Sequence, residues 1–249
     1  MTDVQKTGFV IGLSVLIVGL VFALVPATAQ PSAYHLFSDG REWLGVANFG
    51  DVASNLVFVI AGLWGLSKLH IVKGAPIYIP LLVFFWGVVL VGPGSAYYHL
   101  APDNLTLFWD RVPMTIAFMG LFAAVITERI NAKMGVRMIL PLLICLGLAS
   151  VLYWRTSEMM GVGDLRAYAL VQFLPMVLIP LVMVLFVNSS AKIGWRALLG
   201  LFVFYGLAKV SESYDHEVFK LFSGLVSGHT LKHIFAGLGP VALVMNLKQ

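Results

Sequence analysis

Two histidines near the carboxyl end of the chain have the spacing of a metal site. His229 and His233 are four residues apart in the sequence His-Thr-Leu-Lys-His, and in a helix this spacing places both imidazoles on one face. Two imidazoles arranged in this way bind a single ion in helix-borne zinc sites. The pair alone is a weak pattern, because two helix-end histidines at a membrane–water interface have the same spacing.

A third histidine strengthens the interpretation. His99 ends the third of eight apolar segments, and His229 begins the eighth. If every segment crosses a membrane, the alternating direction of the chain brings all three histidines to the same face. Three neutral imidazoles and one water are a common ligand set of catalytic zinc, and an ionisable residue within a membrane segment is a functional candidate by default.

A serine and an aspartate accompany His99. Ser95 lies four residues before it, which is the same helical face. Asp110 lies eleven residues after it, beyond the turn at residues 101–104, in the first turn of the next segment. Each residue also has a simpler explanation. Asp110 would complement the helix dipole or pair with Arg111, and Ser95 would bond to its own backbone.

The elements that position these residues are predicted to be membrane helices. Of 249 residues, 59% are hydrophobic and 11% are charged, whereas soluble domains are about 45–50% apolar and about a quarter charged. A transmembrane helix needs about 20 mostly apolar residues, and lipid offers no partner for the unpaired backbone groups of other structures. We identify eight apolar segments, at residues 8–27, 48–68, 76–98, 106–127, 136–154, 167–188, 195–211 and 226–246. The predicted fold is an all-α integral membrane bundle.

The first segment stands apart from the rest. Residues 1–30 are predicted to form an N-terminal transmembrane helix, and a removed signal peptide is the alternative because Ala27-Thr28-Ala29 resembles a signal-peptidase site. Residues 31–249 then hold the other seven segments, with no length left for a soluble domain of useful size.

Charge indicates an orientation and excludes nucleic acid as a partner. With the N-terminus in the cytoplasm, nine of the 16 basic residues lie on the cytoplasmic side, which is the side that basic residues favour. We therefore expect both termini in the cytoplasm and the three histidines at the opposite face. The net charge of +4 comes from scattered residues that form no basic stripe, and the single cysteine, Cys145, allows no internal disulfide.

The complete set of motifs resembles the alkaline ceramidases. Ser95-Ala-Tyr-Tyr-His99, Asp110 in the next segment and His229-Thr-Leu-Lys-His233 in the last are similar in order and spacing to that family's motifs. Those motifs are S-x-x-x-H, an aspartate in the following helix, and H-x-x-x-H in the final helix. The family belongs to the CREST group of membrane hydrolases, which also includes the adiponectin-type receptors.

The resemblance implies a fold, cofactors and a substrate. It covers roughly residues 40–245, so that a seven-helix core would carry the N-terminal helix as an addition, eight helices in total. The three histidines would hold Zn²⁺, and the substrate would be a ceramide-like lipid from the bilayer, cleaved to a fatty acid and a sphingoid base. Eukaryotic members also bind calcium through a D-W-C-E-x-N motif that is absent here. Oxygen ligands for Ca²⁺ would instead come from Asp39, Glu42, Asn48 and Asp51.

The chemistry of the residues agrees with these roles. Zinc lowers the pKa of a bound water toward about 7 and polarises a carbonyl group. A helix-borne H-E-x-x-H metalloprotease uses the glutamate after its first histidine as the base, but Thr230 occupies that position here. We therefore expect Asp110 to deprotonate the water and Ser95 to donate a hydrogen bond to the developing oxyanion.

Three other functions would use the same residues differently. A lipid-sensing receptor or scaffold would carry a structural zinc but would have no need of Ser95 and Asp110. A transporter or proton channel would place ionisable residues at successive depths, whereas here they gather at one predicted face. An intramembrane serine protease would use Ser95, but Ala96 stands where rhomboid proteases carry glycine. A zinc-dependent amidohydrolase accounts for more of these residues than the alternatives do.

Overall fold

The protein is helical along its length. The computed structural model describes residues 1–248, and within them no strand occurs. Eleven α-helices are found in this part of the chain: α1 Asp3–Leu24, α2 Phe49–Ser54, α3 Leu56–Lys68, α4 Tyr78–Leu100, α5 Asn104–Arg129, α6 Ala132–Met134, α7 Leu140–Met159, α8 Arg166–Leu185, α9 Trp195–Ser213, α10 Asp215–Leu221 and α11 Gly228–Met245. Short 3-10 turns occur at Ser32–His35 and Leu69–Val72, and a π-helical turn at Gly135–Ile139 joins α6 to α7.

Six helical segments are long and apolar enough to cross a membrane among the residues described. They are Asp3–Leu24, Phe49–Val72, Tyr78–Leu100, Asn104–Arg129, Ala132–Met159 and Arg166–Leu185. They correspond to the first six predicted segments, so the chain is an all-α, multi-pass membrane protein.

The last two predicted segments are also helices, but they are less apolar than the other six. The α9 helix carries Arg196, Lys209 and Glu212, and α11 carries Lys232 between its two histidines. Length and composition therefore support six of the eight predicted spans, and α9 and α11 are not among the six.

Two units of the chain are each compact. The first unit comprises residues 1–30, 72–84 and 115–192. In it α8 packs against both α1 and α7. Apolar side chains of α1, α5, α7 and α8 line an open cavity of about 360 Å³, among them Val18, Phe22, Leu146 and Leu174.

The second unit carries all the predicted site residues. It comprises residues 31–71, 85–114 and the described residues from Ile193 onward. Its centre is α11, which packs against α9, α3 and α2. These contacts decide where the first two turns of α11 lie, and those turns bear His229 and His233.

A break between α2 and α3 interrupts the second predicted segment. Ser54 Oγ donates to the carbonyl oxygen of Asp51 at 3.0 Å, and Asn55 Nδ2 donates to the same oxygen at 2.7 Å. Side chains that bond to nearby backbone in this way compete with the regular helical pattern. As a result Ser54 ends α2 inside the second unit.

Candidate metal centre

Three histidines meet in the second unit. His99 lies in the last turn of α4, and His229 and His233 lie in the first two turns of α11. One ring nitrogen of each lies within 4.8 Å of the other two, and the Nε2 atoms of His99 and His229 are 3.2 Å apart. All three side chains are buried. The predicted group of histidines is therefore assembled in the fold and could hold a metal ion.

Side chains from distant parts of the sequence hold two of these histidines. Nδ1 of His233 is 2.8 Å from Ser54 Oγ, so the outer nitrogen of this ring has a partner and the ring is fixed in orientation. The backbone N–H of His229 donates to Asp215 Oδ1 at 2.8 Å. The other oxygen of Asp215 accepts from the backbone N–H of Ser38 at 2.9 Å. The positions of both histidines thus depend on residues outside α11.

The amino end of α11 is anchored to α2. Ser227 caps the helix, since its Oγ accepts from the backbone N–H of Thr230 at 2.8 Å. The Ser227 and Thr230 hydroxyls each donate to Asp51 Oδ1 at 2.9 Å. Gly228 permits the close approach of α9, because a Cβ atom there would lie 2.3 Å from the carbonyl oxygen of Ser211.

Ser95 and Asp110 are brought together by the close packing of α4 and α5. Both side chains are buried, and the Ser95 hydroxyl hydrogen-bonds to the Asp110 carboxylate. Gly94 makes this approach possible, because a Cβ atom at that position would lie 2.4 Å from the carbonyl oxygen of Trp109. Ser95 is one helical turn from His99, so the serine–aspartate pair faces the same interior as the histidines.

An aromatic side chain from the loop before α2 covers the histidines. The ring centroid of Phe37 lies 4.6 Å from that of His99 and 4.4 Å from that of His229. Close by, His35 is held between the hydroxyl of Tyr98 at 2.8 Å and the side-chain oxygen of Asn104 at 3.0 Å. Sequence reasoning missed both residues, because a single phenylalanine and a single histidine in a loop have no periodicity to interpret.

A charged group on α9 and α11 lies beside the histidines. Lys232 Nζ lies 2.6 Å from Glu212 Oε1, and Lys209 pairs with the other oxygen of the same carboxylate. Lys232 Nζ is also 3.4 Å from Nε2 of His229. The i,i+3 spacing of Lys209 and Glu212 accounts for their pair. The contact with Lys232 was not predicted, because helix spacing alone does not show which side chain of another helix a lysine meets.

The histidine cluster suits zinc. Three imidazoles buried within 4.8 Å of one another cannot all carry charge without a large desolvation cost, and the neutral ring is the form that binds metal. Nδ1 of His99 is buried and makes no hydrogen bond among the residues described, so the ring retains a nitrogen that lacks a protein partner. Three neutral histidines are a known ligand set of catalytic zinc, and His99, His229 and His233 fit that set.

Most of the residues predicted to bind calcium have protein partners or are exposed. Both oxygens of Asp39 accept from Arg41, at 2.7 Å each, and these hydrogen bonds hold the pKa of the Asp39 carboxyl below its usual range. Asn48 Nδ2 donates to the carbonyl oxygen of His99 at 2.8 Å, and Glu42 is exposed. Within residues 1–248, the three histidines are the His, Cys, Asp or Glu side chains that lie close enough together to share a metal ion. Asp39 and Asn48 thus have protein partners, and binding of Ca²⁺ by these residues stays a prediction.

Comparison with known proteins agrees with the geometry. A family model described as Ceramidase matches residues 44–248, which is most of the chain and includes the three histidines, Ser95 and Asp110. No curated protein and no solved structure matches the chain.

Proposed function

The chain belongs to the ceramidase family, and from that premise we propose that it is a zinc enzyme whose metal is held by His99, His229 and His233. Membership makes it a hydrolase of the amide carbon–nitrogen bond of ceramide, with a lipid as its substrate. The metal, the roles of individual residues and the range of ceramide-like lipids are the proposal.

One observation carries this proposal. Three buried histidines that could share a metal ion lie in the same unit as a buried serine–aspartate pair, and Ser95 is one turn from His99 on α4. A structural metal needs neither a nearby acid nor a hydroxyl donor. This pairing favours hydrolysis over the lipid-sensing receptor with a structural zinc.

The residues of the chain divide the reaction between them. Zinc, when bound, polarises the amide carbonyl and makes water acidic enough to lose a proton near neutral pH. Asp110 accepts that proton as the water oxygen bonds to the carbonyl carbon. Ser95 donates a hydrogen bond to the oxyanion that forms on the substrate. Asp110 then returns the proton to the leaving nitrogen as the carbon–nitrogen bond breaks, which releases a fatty acid and a sphingoid base.

The surroundings of the site suit a reaction of this kind. Phe37 lies against His99 and His229, which keeps bulk water from the imidazoles. Exclusion of water strengthens the electrostatic effect of each polar group within the site. Ser54 fixes the His233 ring, so the ligand nitrogen does not have to be oriented during the reaction.

A membrane topology is part of the proposal. We infer that α9 and α11 also cross the bilayer, which gives eight spans, cytoplasmic termini and a metal centre near the non-cytoplasmic face. The test uses Ala75→Cys and Glu217→Cys, each in a Cys145→Ser background, with a membrane-impermeant maleimide on intact cells. We expect labelling at position 217 and none at position 75 before lysis. Labelling of both positions, or the reverse pattern, contradicts this orientation.

Release of labelled fatty acid from a ceramide by purified protein tests the activity. We compare wild type with His233→Ala and use His70→Ala as the matched control, because His70 is exposed and bonds only locally to the Ser67 carbonyl oxygen. We expect hydrolysis in wild type and His70→Ala and a loss of at least about 1,000-fold in His233→Ala, since metal activation and carbonyl polarisation both depend on the ligands. Equal hydrolysis by His233→Ala contradicts the zinc mechanism. Bound zinc without hydrolysis in the wild type supports the receptor instead.

A further inference from the structure

Lys232 has no task in the reaction as described, although it lies beside the metal centre. It is located on α11 between the two histidines, and its Nζ is 3.4 Å from Nε2 of His229. The side chain is only 19% exposed. A long cationic side chain on a membrane protein usually extends toward water, so its inward position requires an explanation.

The partners of Lys232 leave an excess of positive charge. Glu212 accepts from Lys232 and also from Lys209, so that one carboxylate serves two ammonium groups. Asp110 lies within electrostatic range of Glu212 and also of Arg111, and Asp110 and Arg111 carry opposite charges. The five groups therefore sum to one positive charge before any metal is present.

A bound metal would increase this excess. The nitrogen of His229 that lies next to Lys232 is also 3.2 Å from Nε2 of His99. A divalent cation on the histidines and the ammonium group of Lys232 would repel each other in a medium where charges are poorly screened. An anionic oxygen placed between two cations relieves such repulsion and is bound by both of them.

The proposed reaction produces such an oxygen. The carbonyl oxygen of the amide becomes an oxyanion during attack, and the fatty acid leaves as a carboxylate. We propose that Lys232, held in place by Glu212, is a further catalytic residue that binds the anionic oxygens of the acyl group, namely the oxyanion and then the long-chain carboxylate. This assignment rests on the proposed function, since it takes its ligand from that reaction.

Binding of palmitate and of its neutral analogue hexadecanol tests the assignment without a need for turnover. Full-length protein in detergent micelles is titrated with each ligand at alkaline pH, where palmitic acid is ionised, and zinc content is measured in every sample. The variants are Lys232→Met, Lys232→Arg and Lys209→Met. The last is the matched control, because Lys209 pairs with the same Glu212 but is 42% exposed and is not adjacent to a histidine on α11.

We expect Lys232→Met to bind palmitate at least about tenfold more weakly, the usual effect of losing one hydrogen bond to a charged group. Hexadecanol binding should change less than about twofold, and zinc content should not fall. Lys232→Arg should retain most of the palmitate affinity, and Lys209→Met should retain nearly all of it. In ceramide hydrolysis, kcat should fall in Lys232→Met while KM stays nearly constant, because the oxyanion exists only after attack.

Two results would overturn the assignment. The first is equal palmitate affinity in wild type and Lys232→Met. The second is an equal loss of palmitate and hexadecanol affinity in that variant, which would mean that the ion pair only supports the fold. Either result leaves ceramide hydrolysis by the wild type untouched, so failure here is distinct from failure of the proposed function. Conversely, a selective loss of palmitate affinity in Lys232→Met, with no ceramide hydrolysis by the wild type, would support the anion site and contradict the proposed reaction.

Discussion

Two Asp-x-Arg segments, one in each unit, fold in the same way. In the second unit, the oxygens of Asp39 accept from Nε and Nη2 of Arg41 at 2.7 Å each. In the first unit, the oxygens of Asp164 accept from Nε and Nη2 of Arg166 at 2.9 and 2.7 Å. Both aspartates are buried, and in both segments the aspartate also accepts from the backbone N–H of the arginine.

The two segments differ in the backbone that the arginine reaches. Arg41 donates to the carbonyl oxygen of Leu225 at 2.9 Å, two residues before the serine that caps α11. Arg166 donates to the carbonyl oxygens of Phe22 and Val25 at 3.1 Å each, at the end of α1. The same local chemistry therefore supports the start of α11 and its histidines in one unit and the N-terminal helix in the other. Matched substitutions in the two units should therefore affect hydrolysis unequally.

The largest difference is expected between the buried aspartates Asp110 and Asp164. Asp110→Asn should lower hydrolysis at least about 100-fold, because loss of a general base typically costs about 10²- to 10⁴-fold, while zinc stays bound. Asp164→Asn should leave hydrolysis within about twofold of wild type, since that carboxylate binds Arg166 and Tyr153 in the first unit. Initial rates on labelled ceramide, with zinc content measured in parallel, provide the comparison. Near-normal rates in Asp110→Asn would remove Asp110 from the mechanism.

A smaller difference is expected between two serines. Ser54→Ala should weaken zinc binding by roughly 10- to 100-fold, because Ser54 holds the ring of His233 and loss of such a partner has an effect of this size. Ser150→Ala is the control, since Ser150 is buried in the first unit and donates only to the carbonyl oxygen of Gly147 at 2.7 Å. Competition with a chelator of known affinity measures the zinc affinity of both variants. The same zinc affinity in the two variants would mean that Ser54 does not support the ligand.

The arginines of the two Asp-x-Arg segments provide the direct comparison. Arg41→Gln should lower hydrolysis roughly tenfold, as it releases the chain just before α11 and shifts the histidines. Arg166→Gln should leave hydrolysis unchanged but accelerate hydrogen exchange near residues 22–30, where α1 loses two hydrogen bonds. Rates and exchange are measured on the same preparations. Equal effects on hydrolysis would show that the two segments do not have separate roles.

The smallest effect concerns stability at low pH. Hydrogen bonds from Arg166 lower the pKa of Asp164 to about 2, below the value of about 3.9 for an unfolded aspartate. Because the folded value is the lower one, this pair contributes stability above about pH 4 and loses it as the pH falls toward about 2. The melting temperature of wild type should therefore exceed that of Asp164→Asn at neutral pH. This difference in melting temperature should disappear between about pH 4 and about pH 2.

Asp3→Asn is the control for that measurement. Asp3 forms an exposed ion pair with Lys6 at 3.2 Å, and such pairs contribute little to stability. Its melting temperature should follow that of wild type at every pH. A gap between wild type and Asp164→Asn that is the same at all pH values would contradict the account of this pair.

The histidine site could be predicted because its signals are local. The spacing of His229 and His233 fixes a shared helical face, and Ser95 and His99 are related in the same way on α4. The predicted alternation of eight membrane segments then places the ends of α4 and α11 on one side. Helix period and chain direction were enough to group these residues before the fold was known.

The supporting contacts could not be predicted, because they join residues far apart in the sequence. Ser54 and His233 are separated by 179 positions, and Ser38 and Asp215 by 177 positions. Only the packing of α2 and the preceding loop against α11 brings these residues together. The end of α2 at Ser54 was not predicted either, since a mainly apolar run from 48 to 68 gives no reason to end a helix at that residue.

The most direct test of the account is the zinc content of purified protein, measured in wild type, His99→Ala and His70→Ala. We expect about one zinc per chain in wild type and His70→Ala and none in His99→Ala, because three buried imidazoles form the proposed site. Wild type without zinc, or His99→Ala with a full complement of zinc, would contradict the central claim that these histidines hold the catalytic metal.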